Sequence, residues 1–319
     1  MRILVAIAVA LLLPGVVAAQ SYPSKPIRIV TPYNPGGTAD IMARLVAQRL
    51  TETLGQPAVV ENRAGASGMI GADHVAKSAP DGYTLLAAYV TEIAIVPSLF
   101  PKAAYDPVKD LAPVALTALT PMILVVNPSI PAKSVKEFVA LAKAKPRHFA
   151  FASAGNGSPA HLAGELLQRA AGIELTHVPY KGGGQALTDT LAGRTAFFFS
   201  SMPSALPHVK AGKLVGMAVS TSRRSGGAPD VPTVAESGGF KFDLGAWNGL
   251  FAPAGTPRAI INRLNAEVTS GLMAPAMRER LAREGADAMP WSADEFGGFV
   301  RTEVAKFGKI IRDAGIKAE

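Results

Sequence analysis

The sequence predicts an α/β protein folded into two lobes, and three observations carry that prediction. Short apolar runs alternate with helical patterns from residue 27 to residue 220, the pattern of α/β layers with largely parallel sheets. The C-terminal part departs from it, with three helical patterns and little strand after Trp247 to Phe251. Two breaks, Leu119-Thr120-Pro121 and Gly238-Gly239-Phe240, stand where the chain would leave one lobe and return to it. The expected lobes are residues 20–121 with 246–319, and residues 122–245. Two crossovers would join them in a fold that closes on a ligand by a hinge.

Taken in order, the chain opens on an export signal over residues 1–19. Arg2 supplies the positive start, Ile3 to Leu13 the apolar run, and Val17-Ala18-Ala19 the small residues before a cut near Ala19. That run is too short for a bilayer, which needs ~20 residues. The mature protein is therefore expected to be exported and soluble. Ile27 to Val30 reads as a strand, Ala39 to Leu54 as a helix, Ala58 to Val60 as a strand, Ile70 to Lys77 as a helix and Tyr83 to Ala87 as a strand. Met122 to Val126 is the next strand. Ser134 and Glu137 then open a helix with a capping box. Phe149 to Ala152 (strand), Pro159 to Ala171 (helix) and Leu175 to Val178 (strand) follow. Thr195 to Phe199 and Val215 to Ser220 are strands around a helix at Pro203 to Lys210. Thr256-Pro257 starts the first late helix, with Thr as cap and Pro at the first helical position. Ser292 and Glu295 form a second capping box, and the apolar residues from Phe296 to Ile311 recur on one helix face.

Composition narrows the function. There are no cysteines, which excludes disulfides, thiol catalysis, zinc-thiolate and iron–sulfur sites. The formal charge of +8 is spread along the chain without aromatic interleaving, so nucleic acid is not an expected partner. The five histidines show no HExxH or other tight ligand spacing, and no G-x-S-x-G elbow occurs. No enzyme, metal or cofactor is therefore expected; a dinucleotide enzyme would rest on Gly155-x-Gly157-x-x-Ala160 alone.

Two loops could hold an anion. Thr31 to Asp40 follows a strand, opens a helix and carries Tyr33, Gly36, Gly37, Thr38 and Asp40. Ser153 to His161 does the same with Ser153, Asn156, Gly157, Ser158 and His161, Ser158 being a cap and Pro159 the first helical residue. Glycines admit close backbone approach, and helix N-termini offer free N–H donors and a positive dipole end. In open α/β sheets ligands bind beyond the carboxyl ends of strands. Two such loops facing across a cleft make a pair of carboxylate clamps. A third loop, Val178 to Gly184, brings Tyr180 and Lys181.

These loops, in this order, resemble the substrate-binding receptors of the tripartite tricarboxylate transporter family, the Bug-type receptors. The matching segments are Pro35 to Asp40, Val60 to Ala66, Ala79 to Leu85, Val178 to Gly182, Pro229 to Glu236 and Ala252 to Pro257. The resemblance implies a type II periplasmic binding fold of Venus-flytrap architecture. It also implies a small organic acid held by the first two loops through backbone amides and water, with Thr91, Tyr180 and Ser200 in the same site. The partners it implies are a membrane transporter's subunits, and the chain is expected to be a periplasmic monomer. A ligand-sensing role in signalling and an exported enzyme are the alternatives. The chain departs from the family pattern at Ser200, where an acidic residue is usual, at Ala196, which replaces a common Asp, and at Val96 before Pro97. Loss of the acid at Ser200 would disfavour an amino-acid ligand, whereas Glu92 in a neighbouring loop would repel a second anionic group.

Overall fold

A computed structural model describes residues 22–35, 38–100, 103–180, 182–283 and 285–317. The expected signal segment lies outside them, as do Gly36, Gly37 and Lys181. Strand β1 (Ile27–Thr31) leads to helix α1 (Thr38–Leu54), and β2 (Ala58–Asn62) returns parallel to β1. A 3-10 turn (Ala66–Gly68) and α2 (Met69–Ala76) precede β3 (Thr84–Tyr89), parallel to β1 on its other side. Ile27 and Ile29 bury one face of β1 in the same core as Met42, Val46 and Leu50 of α1, while Val30 joins the core on the opposite face. Ile27, Ile29 and Val30 are buried and only Arg28 breaks the run, which is why Ile27 to Val30 was legible as a short, mostly covered strand.

A π-helical turn (Thr91–Ile95) and α3 (Val96–Leu99) follow β3, and then comes β4 (Leu111–Val126), 16 residues long. Sequence predicted only its last five residues, because Leu119-Thr120-Pro121 read as a break. Proline removes a ladder donor and is tolerated at irregularities. Pro113 sits at a register shift, and Pro121 is the last residue paired with β9 before β4 changes partners.

The second layer of elements comprises α4 (Val135–Ala144), β5 (Ala150–Ser153), α5 (Pro159–Ala171), β6 (Thr176–Pro179), α6 (Gly183–Leu191), β7 (Phe197–Ser201), α7 (Met202–Lys210), β8 (Val215–Val219) and α8 (Val234–Gly238). Then come β9 (Gly245–Pro253), α9 (Arg258–Leu272), α10 (Pro275–Arg283) and α11 (Ala293–Ala314). Helix α6 was missed because its triple-glycine start resembles a turn. Ala186, Leu187 and Thr190 bury its inner face.

The strand order is β2-β1-β3-β9-β4-β7-β5-β6, with β8 also on β4. β4 pairs with β9 from Leu111 to Pro121, and from Met122 onward with β7 and β8. It therefore runs from one half of the sheet into the other, and β9 enters beside that switch. Side chains alternate across a strand, so Thr120 and its partner Ala246 face one side of this two-stranded ribbon. Leu119 and Gly245 face the other.

Helix α11 packs its apolar stripe on β4, the π turn, α3 and α5. Phe296, Val300, Phe307 and Ile311 are buried in that seam. Trp247 on β9 is fully buried against Phe296 and Phe299, and its Nε1 donates to Glu303 at 3.1 Å. The Ser292 capping box forms as expected. Two caps differ. Ser134 accepts from the Glu137 amide, but Glu137 accepts from Lys133 N, one residue before the cap. Thr256 donates to Pro253 O and does not cap α9, whose N-cap is Pro257. In both cases another backbone group takes the side chain.

Candidate ligand-binding cleft

Two adjoining cavities lie between the ends of β3 and the π turn on one side and the loops of the second half on the other. The outer one, about 370 Å³, is walled by Tyr33, Ser67, Tyr89, Thr91, Ile95, Val96, Leu99, Phe100, Ala154, Asn156, Gly157, Ser158, Pro159 and Lys317. The inner one, about 210 Å³, shares Tyr89, Ala154, Ser158 and Pro159 with it and adds Thr120, Met122, Ala246 and the Phe198–Ser201 strand end. Tyr33, Thr91, Asn156, Gly157 and Ser158 thus come together in one cavity, and Ser200 joins Ser158 in the next.

The other predicted residues stand behind these walls. Asp40 is buried, with its carboxylate held by Arg44 at 2.9 Å and by Asn62 Nδ2 at 2.8 Å. Asn62 also donates to the Tyr33 carbonyl at 2.9 Å, so this cluster ties β2 to the first loop. Thr38 opens α1. Tyr180 does not line either cavity; its hydroxyl donates to Asp189 at 2.8 Å, which in turn pairs with Arg194.

The first loop rests on Glu92. Its loop position suggested a carboxylate facing the ligand, but the residue is fully buried. Oε2 accepts from the Tyr33 hydroxyl and Oε1 from the Tyr89 amide, both at 2.6 Å. Burial pushes the carboxyl up to about 7, and the hydrogen bonds from Tyr33 and Tyr89 oppose that rise. Glu92 therefore fixes the walls Tyr33 and Tyr89 from below and lines neither cavity itself.

The second loop rests on a histidine pair that sequence spacing did not reveal. His161 and His177 are 16 residues apart in the chain, and their rings stack at 3.8 Å and 5°. His177 stacks further on Phe151 at 4.9 Å. The Gly157 amide donates to His161 Nδ1 at 3.1 Å, so the ring proton sits on Nε2. His177 Nε2 lies 2.7 Å from the Ser153 hydroxyl. Desolvation lowers both imidazoles to about 4, with His177 adding to the effect on His161; both rings are neutral at pH 7. Ser153 and His161 accordingly shape the loop from beneath. Gly157 has φ +72°, a conformation that favours glycine, and a Cβ there would stand 2.5 Å from Leu99 Cδ1 and make that side chain shift. Ser158 caps α5 by accepting from His161 N.

Sequence reasoning missed Ser67, Tyr89, Thr120, Ser201, Ser204 and Lys317. Their places depend on the chain's path; even Tyr89, which ends β3, lies two residues past the strand expected at Tyr83 to Ala87. Across the β4–β9 ribbon from the inner cavity lies a larger recess of about 620 Å³. Leu119 and Gly245 line it with Thr221 to Arg224, Asp243, Asp287 to Met289, Trp291, Phe299, Glu303 and Lys306. None of the predicted loop residues reaches it. Among the described residues no cluster of side chains could hold a metal ion, and no helix is long and apolar enough to cross a membrane.

A family model described as the tripartite tricarboxylate transporter family receptor matches residues 42–316. Protein BugT of Bordetella pertussis is 40% identical over 302 residues, covering 94% of this chain and 93% of BugT. Among solved structures, R. palustris Rpa4515 with adipate is 34% identical with a TM-score of 0.79, covering 93% of this chain and 99% of that one. MatC (Rpa3494) from Rhodopseudomonas palustris with bound malate is 34% identical with a TM-score of 0.74, covering 91% and 100%.

Proposed function

The chain belongs to the tripartite tricarboxylate transporter receptor family, and on that premise we propose that it captures a small carboxylate between its two lobes for delivery to membrane transporter subunits. The observation that carries this reading is the outer cavity. Tyr33 and Thr91 from one side and Asn156, Gly157 and Ser158 from the other wall a single space of about 370 Å³, large enough for a small organic acid. Its second-loop wall opens α5, where the helix dipole favours an anion. Lys317 is the one basic residue among the described walls. Relatives bound to adipate and to malate support the ligand class.

The same reading makes the protein a receptor without catalysis, periplasmic after removal of residues 1–19 near Ala19, and monomeric. Its lobes are residues 20–121 with 246–319, and residues 122–245. The position at which β4 exchanges β9 for β7 supports that division. Within the site, Asp40, Ser153 and His161 position the two loops, and Gly36, Gly37 and Thr38 belong to the first of them.

A thermal-shift screen of the mature chain against mono-, di- and tricarboxylates and amino acids tests the reading, after unfolding and refolding to remove carried-over ligand. Binding to the folded state alone stabilises by about 2.7 kcal/mol at a hundredfold excess over Kd. One class of acid shifts the transition if the reading is right. No shift with any carboxylate overturns it.

A further inference from the structure

A run of hydroxyl groups joins the buried carboxyl of Glu92 to the outer cavity. Oε2 lies 2.6 Å from the Tyr33 hydroxyl, and Thr91 hydrogen-bonds that hydroxyl in turn. Tyr33 and Thr91 both wall the outer cavity, whereas Glu92 lines neither cavity. The 3-10 turn covers the carboxyl closely, since a Cβ at Gly68 would stand 3.1 Å from Oε2. Among the described residues, the titratable groups packed around Glu92 are phenols. Tyr33 comes from the first loop and Tyr89 from the end of β3. Tyr105, before β4, donates to the Glu92 carbonyl at 2.6 Å, with Asp73 of α2 acting on it from beyond. The 3-10 turn and α3 bring no titratable side chain, and α11 meets the π turn with its apolar stripe. Lys317 is the cation of the cavity wall.

The run has two directions. An ionised carboxyl accepts from Tyr33, and Tyr33 accepts from Thr91, so both donors point away from the cavity. A protonated carboxyl donates to the Tyr33 oxygen instead, and a hydroxyl proton of Tyr33 or Thr91 is left for the cavity. Burial sets the balance between the two forms near neutral pH, at about 7.

We propose that Glu92 is a positioning residue that couples ligand capture to proton uptake: an anion in the outer cavity selects the protonated carboxyl, which turns the Tyr33 and Thr91 hydroxyls toward it. This inference rests on carboxylate capture in that cavity. One proton passes from water to the Glu92 carboxylate as the anion enters, and no other covalent bond changes. The ionised form opposes capture twice, by drawing the donors away and by placing a second negative charge behind the wall. The carboxyl therefore holds its proton more tightly in the complex than in the free protein, and by linkage affinity falls as pH rises through 7.

The test is isothermal titration of the refolded, ligand-free mature chain with straight-chain mono- and dicarboxylates of four to six carbons. It is run at pH 6.5, 7.5 and 8.5, where these acids are already ionised. Two buffers of different ionisation enthalpy at each pH count the protons taken up. His161 and His177, held near 4, stay neutral throughout. Affinity of the natural protein falls about tenfold from pH 6.5 to pH 8.5, with most of a proton taken up per ligand at pH 8.5. Glu92→Gln, whose NH2 donates to the Tyr33 oxygen as the protonated acid does, takes up none and binds more tightly than the natural protein at pH 8.5. A Glu92 that only props the wall would give the two proteins parallel pH profiles. Constant affinity without proton uptake in the natural protein, or uptake that persists in Glu92→Gln, overturns the coupling while carboxylate capture stands. If no carboxylate binds at any pH, the capture reading falls and the coupling falls with it.

Discussion

Replacing Glu92 by Gln should make the protein more stable than the natural sequence, and increasingly so as the pH rises. The carboxyl is fully buried beneath Tyr33 and Tyr89, and burial lifts it from 4.5 to about 7. Between those values the folded state holds a proton that the unfolded state has released. Stability then falls with increasing pH across that window, because the folded state binds more protons. At about 1.4 kcal/mol per pH unit, the natural chain loses about 3 kcal/mol between pH 4.5 and full ionisation above pH 7. Gln has the same shape and carries no charge to desolvate. Its carbonyl can accept from the Tyr89 amide, and its NH2 can donate to the Tyr33 hydroxyl oxygen. The His161–His177 pair gives both proteins the same opposing pH dependence, so the difference between them isolates Glu92. The assay is thermal unfolding of both proteins at pH 5 and pH 8.5. At roughly 2 °C per kcal/mol for a protein of this size, Tm of Glu92→Gln minus Tm of the natural chain should grow by roughly 6 °C. Parallel Tm curves, or a difference that shrinks with pH, refute the reasoning.

Two further outcomes follow from the second loop. Gly157→Ala forces a left-handed φ of +72° on alanine and drives Cβ to 2.5 Å from Leu99; it should destabilise by about 1–2 kcal/mol and weaken binding of any ligand in the outer cavity, read by thermal unfolding and titration. His161 and His177, held near 4 by burial, should stay neutral at pH 6 and titrate well below free imidazole in an NMR pH series. Their folded values lie below the unfolded value near 6.5, so their contribution to stability is present above pH 6.5 and is lost as pH falls toward 4.

Much of the fold was legible because its elements carry local signals. Pro159 to Ala171 was placed to the residue, with Ser158 as cap, since cap and proline both act within one turn. The long β4 was not legible, because its prolines are accommodated by a register shift and a change of partner that only tertiary structure supplies. The two candidate loops were singled out from the strand–glycine–helix order. The histidine stack was not, because ring packing between α5 and β6 leaves no periodicity. Tyr180 illustrates the reverse case. Its type fitted a ligand wall, but Asp189, nine residues on, takes its hydroxyl. The buried state of Glu92 was hidden for the same reason, since the residue's partners, Tyr33 and the Tyr89 amide, reach it from the first loop and from the end of β3.

The two faces of the β4–β9 ribbon tie the front of the molecule to its back. Thr120 and Ala246 border the inner cavity while Leu119 and Gly245 border the rear recess. If the two halves rotate about these strands on binding, as the proposed receptor role requires, the rear recess would change shape with occupancy although no ligand touches it. Ser222, exposed on its rim, is a natural seat for a dye. Because the sequence contains no cysteine, a lone Ser222→Cys would be labelled uniquely, and its fluorescence would report solute capture from the far side of the hinge.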